Sequence, residues 1–91
     1  MLNNNNNFSS NKHNSIKNDK KICIGANIKR IRKEKKIKGV ELIRLVNLQG
    51  VELNTFSLSK IEAGTQHITA SQFRAIALSL ECTYEDLLQE K

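Results

Sequence analysis

The sequence predicts an all-α protein of five short helices, and three observations carry that prediction. From Ile24 onward, apolar residues recur at helical spacing. Residues that favour helix starts and stops, among them Asn54, Gly64, Thr69 and Thr83, punctuate the chain at short intervals. No stretch alternates apolar and polar residues as a half-buried strand does. A chain of 91 residues has room for one small domain.

The elements follow in order. Met1 to about Lys21 is mostly Asn, Ser and Lys, with Phe8 and Ile16 as isolated apolar residues. It has neither a helical nor a strand period, which predicts a disordered tail. Its basic character leaves two readings open, a plain solvated segment or one that grazes a polyanion. Ile24, Ile28 and Ile31 stand at i, i+4 and i+7 and predict a helix from about Gly25 to Lys36 with one apolar stripe. Arg32 lies on the edge of that stripe, an odd place for a charge without a partner. Ile37 follows as a buried linker residue.

A second helix is predicted from about Lys38 or Gly39 to Leu48, with Leu42, Ile43 and Val46 inward and Gln49-Gly50 as its stop. Val51-Glu52-Leu53 is a short extended link. Asn54 then caps a third helix that Gly64 ends. On a helical projection Leu58, Ile61 and Glu62 fall together, while Phe56, Ser59, Lys60 and Ala63 crowd the opposite side. So short a helix needs neighbours to hold it. Its outward arc is small, hydroxylated and singly basic, with one aromatic, which suits contact better than catalysis.

Thr69-Ala70-Ser71-Gln72 is a capping box that opens a fourth helix through Phe73, Ile76, Ala77 and Leu80. Thr83-Tyr84-Glu85-Asp86 opens a fifth in a similar way and sets Leu87 and Leu88 against the rest.

Composition narrows the function. There are 15 Lys+Arg against 9 Asp+Glu, a net charge of +6. Residues 25–38 alone carry Lys29, Arg30, Arg32, Lys33, Lys35, Lys36 and Lys38 against Glu34, whereas residues 39–91 are net acidic. A basic balance concentrated on the first helix favours polyanions, nucleic acid before an anionic membrane. No apolar run is long enough to span a bilayer and no signal-peptide core follows Met1, so a cytoplasmic location is expected. Cys23 and Cys82 read as reduced thiols, Cys82 in a small apolar role. With His13 and His67 they lack zinc-ligand spacing, and no catalytic triad or carboxylate pair is evident. No cofactor and no enzymatic activity are expected.

Four segments, in this order, resemble the lambda-repressor/Cro (XRE) family of helix-turn-helix DNA-binding domains. Ile24 to Lys36 follows the family's I-G-x-x-I-K-x-x-R-x-x-K first helix, and Leu58-Ser59-Lys60-Ile61-Glu62-Ala63-Gly64 follows its S-K-I-E signature. Ala75 to Leu80 and Cys82 to Leu88 resemble the fourth and fifth helices. The resemblance implies a helix-turn-helix domain over residues 24–91 preceded by an Asn/Lys-rich tail over 1–23. It implies a sequence-specific regulator of transcription, a repressor, that reads double-stranded DNA with helix 55–63.

Carried over residue by residue, base reading falls to Thr55, Phe56 and Lys60. Lys60 suits guanine O6 or N7, Thr55 offers a hydroxyl or a methyl, and Phe56 packs on a thymine methyl or the sugar edge. Phosphate contacts fall to Asn54, Ser57 and Ser59, with Arg30, Lys33, Lys36 and Lys38 adding sequence-independent attraction. The family commonly joins the positions of Arg32 and Glu62 by an ion pair, which is expected here.

Three departures stand against the pattern. Gly39 replaces a phosphate-touching Gln, Leu42-Ile43 replaces a Leu-Ala pair, and the link over residues 47–53 is long. A homodimer on DNA is expected, with Tyr84, Leu87 and Leu88 either at its surface or closing the core. Phe56 has an alternative role covering the junction with helix two or a partner. Two other functions stay open, an antitoxin that binds a toxin and a protein-interaction adaptor without DNA binding.

Overall fold

A computed structural model describes residues 15–90. Five helices follow a two-residue strand: α1 (Ile24–Glu34), α2 (Gly39–Leu48), α3 (Thr55–Ala63), α4 (Ala70–Leu80) and α5 (Tyr84–Leu87). The strands are β1 (Ser15–Ile16), before α1, and β2 (Ile68–Thr69), between α3 and α4. They pair antiparallel, Ser15 opposite Thr69 and Ile16 opposite Ile68. The expectation of a purely helical chain is therefore corrected by a small sheet. Two-residue strands are too short to show any alternation, so no sequence period announces them.

The apolar stripes converge on one core. Ile24, Ile28 and Ile31 of α1 meet Leu42 and Val46 of α2, Leu58 and Ile61 of α3, and Ile76, Ala77 and Leu80 of α4. α1 packs mainly on α3, and α2 on α4. Ile43 and Phe73, expected inside, are only partly buried at its edge. Leu87 is fully buried, so it closes the core, while Leu88 stays exposed at the rim.

Three helices end by one device with different residues. The N–H of Ile37, Thr65 and Cys82 each donates five residues back, to Arg32, Lys60 and Ala77, after a left-handed residue. That residue is Gly64 after α3, where a left-handed φ of 81° is free of cost. After α1 and α4 it is Lys36 and Glu81, at φ 60° and 55°. This is why α1 stops two residues short of its predicted end. Both expected capping boxes are present, Thr69 with Gln72 and Thr83 with Asp86.

Part of the expected tail belongs to the fold. Ile16 and Ile22 pack on the core, and Ile22 bridges to Glu90 near the other end of the chain. Asn18 Oδ1 accepts from the Ile24 N–H at 2.8 Å and so caps α1. Asp19 Oδ1 accepts from the N–H groups of Lys21 and Ile22, both at 2.8 Å, and turns the chain into α1. The boundary at residue 23 is thus displaced towards the N-terminus; the expectation for residues 1–14 lies outside the described residues.

Candidate nucleic-acid interface

The site is built on α3, whose start is fixed by Asn54. Its Oδ1 accepts from the Ser57 N–H at 2.8 Å, satisfying one of the helix's orphan donors. The inner face then makes two contacts with α1. Gly25 lies so close to α3 that a Cβ on it would sit 1.7 Å from the Ile61 carbonyl oxygen. About two turns further along α1, Arg32 meets Glu62 edge to edge, Nε to Oε2 at 2.8 Å and Nη2 to Oε1 at 3.0 Å.

That pair is largely sheltered, with 13% and 8% of the two side chains exposed. Arg32 Nη1 also donates to the Ile37 carbonyl at 3.0 Å, so one guanidinium ties α3 to the turn between α1 and α2. The hydrogen bonds to Glu62 hold the Arg32 pKa above its ordinary value, against the opposing pull of burial. The Arg32 guanidinium therefore stays charged at any pH near neutrality.

The outer face is unencumbered. Thr55, Phe56, Ser59 and Lys60 are all exposed, and Phe56 is 79% exposed. Helical geometry puts Phe56, Lys60 and Ala63 on a ridge, with Thr55 and Ser59 on one flank and the half-buried Ser57 on the other. Asn54, assigned to phosphate, commits its oxygen to the cap and retains only its amide NH2 for an anion.

Beside Thr55 and Ser59 the surface is concave. An open groove of about 370 Å³ runs between the start of α2 and the flank of α3. Val40 and Ile43 line one side, Lys38 stands in its wall, and the Arg32–Glu62 pair also borders it. No sequence signal announced this groove, because it depends on how two helices cross.

The basic residues do not all gather here. Gly25 and Arg32 mark the side of α1 that faces α3. Relative to them, Lys29 is turned by about 40–60°, Lys33 by about 80–100° and Arg30 by about 140–160°. Arg30 instead reaches the C-terminal segment, Nη2 donating to Gln89 Oε1 at 3.3 Å, and it pairs with Glu34 at 3.5 Å. Arg30, expected among the phosphate contacts, is thus turned away from α3, whereas Lys29 is turned towards it. The signal was available: Lys29 stands one helical turn after Gly25. Lys33, Lys36 and Lys38 are exposed. Lys35 is committed elsewhere, its Nζ donating to the Leu80 and Glu81 carbonyls at 2.7 and 3.1 Å and capping α4.

No family model, curated protein or solved structure matches this chain. Its reading therefore rests on its own residues. Among the described residues no three His, Cys, Asp or Glu side chains form a group able to hold a metal. Cys23 and Cys82 are free thiols, and burial pushes the Cys82 pKa up, away from reactivity. No described helix is long and apolar enough to cross a membrane. Tyr84 is about half exposed and stacks on Phe73 with ring centroids 5.4 Å apart.

Proposed function

We propose that this chain is a transcriptional regulator of the helix-turn-helix type, a repressor that binds double-stranded DNA and reads its sequence. α2 and α3 form the pair joined by residues 49–54, and α3 enters the major groove. One observation carries this reading. The outer face of α3 is bare while its inner face is clamped to α1, so Thr55, Phe56 and Lys60 are presented on a support that does not yield. Lys38, Lys29 and Lys33 flank that face and supply attraction to phosphates. Glu62, the one acid on α3, is neutralised by Arg32 and repels nothing.

Tyr84 and Leu88 remain exposed and offer a surface for a second copy on a palindromic site, whereas Leu87 is spent on the core. The test is a titration with duplex DNA at several salt concentrations, followed by selection of bound sites from random sequences. Affinity should fall by about 0.9 log units per neutralised phosphate for each log unit of salt, and a consensus should emerge.

The second reading, an interaction adaptor, is favoured by two features. Phe56 is a large exposed aromatic, and Gly39 puts no side chain at the start of α2. Binding that ignores salt and yields no consensus selects the adaptor.

A further inference from the structure

The groove beside α3 is apolar where a surface built only for phosphates would be polar. Val40 and Ile43 of α2 face Thr55 and Ser59 of α3 across it. Gly39 keeps it open. That glycine has no left-handed φ, so the backbone does not require it. Nor does packing: a Cβ there would sit 3.5 Å from Leu58 Cδ2, an ordinary contact. What its absence of a side chain leaves is space in the wall of the groove that it lines.

Resting on the DNA-binding reading, we infer that this groove takes the 5-methyl group of a thymine, read by Val40, Ile43 and the Thr55 methyl. The major-groove edge of a base pair offers a single apolar group, and it is that methyl. The charges agree with a polyanion bringing it there. Lys38 stands in the groove wall, and the Glu62 carboxylate beside it is held by Arg32 at 2.8 Å. Thr55 and Ser59 lie next to the ridge of Phe56 and Lys60, so a base entering the groove neighbours those read by the ridge. Val40 and Gly39 are then specificity-determining residues on the first helix of the pair, not only on the second.

The experiment uses the full chain and a duplex selected from random sequences, with each thymine replaced singly by deoxyuridine. At one position the loss of the methyl should weaken binding about fourfold, the worth of one buried methyl-sized group. In Val40→Ser, an exposed site where the fold survives, that difference should vanish. Gly39→Leu, which fills the groove with an apolar side chain unable to bond a phosphate, should abolish it as well. Phe56→Ala should leave it intact, which separates the groove from the ridge. Tight, salt-dependent binding in which no deoxyuridine effect depends on residue 39 or 40 overturns this inference and leaves the DNA-binding reading standing. Failure to bind any duplex overturns both.

Discussion

Leu58 and Ile61, on the inner face of α3, are 4% and 1% exposed, while Phe56 on the outer face is 79% exposed. The inner face is over-determined: a glycine allows backbone to touch backbone, and an ion pair with two hydrogen bonds fixes the rotation of the helix. The outer face makes no such contacts. A nine-residue helix has little stability of its own, so all its order is borrowed from the inner side. The lesson is a division of labour within one turn of helix. Residues facing in set where the outward ones stand, and the outward ones are left exposed.

The comparison is broken most severely at Gly25. A Gly25→Ala protein must push α3 away from α1 against backbone atoms, and it should lose more than about 3 kcal/mol, beyond the usual range for overpacking. Urea denaturation reads this directly; an unchanged midpoint would mean the two helices separate freely.

Next comes the ion pair. Arg32→Ala leaves a sheltered carboxylate unpartnered and should cost about 3 kcal/mol. Glu62→Gln keeps the shape without the charge and should cost less. A double-mutant cycle showing no coupling between Arg32 and Glu62 would remove the pair from the account of the inner face.

Lys60→Ala sharpens the contrast from the other side. Stability should change by less than about 0.5 kcal/mol, as for most exposed positions. Affinity for a selected duplex should fall by about 1 kcal/mol, with relaxed preference at one base pair. A loss of stability without a change in binding would reverse the assignment of the two faces.

A smaller effect tests whether stability and binding are separable. Glu81 is left-handed at φ 55°, and Glu81→Gly should gain about 1 kcal/mol in thermal or urea denaturation while leaving DNA affinity unchanged. The bonds from Lys35 go to backbone carbonyls and survive the change.

The mildest expected effect is one of pH. The Thr83 N–H and hydroxyl hold the Asp86 pKa below its ordinary value. A lowered folded pKa means stability that is present above the unfolded value, about 4, and lost as pH falls through the folded one. Asp86→Asn should flatten that acid limb of a Tm-against-pH curve and leave the neutral plateau's slope unaltered.

Much of this was legible in the chain. Ile24, Ile28 and Ile31 give the first stripe, Asn54 and Gly64 bound α3, and both Thr capping boxes are visible as four-residue patterns. Arg32 and Glu62 announced themselves as charges at the margins of apolar stripes. Other features were not legible. Asn18 and Ile22 looked like tail because their partners, Ile24 and Glu90, give no periodic signal. A helical projection from Gly25, by contrast, does tell Arg30 from Lys29, since about 100° of helix separates their directions.

The sequence by itself determined the helices, their caps and which residues of α3 face inward, because those depend on contacts three or four residues apart. The tertiary structure alone decided the strap of residues 15–23, the commitment of Lys35 to α4 and the groove that Gly39 leaves open. Each of those joins residues distant in the chain, and local periodicity carries no information about what a helix will meet once it has formed.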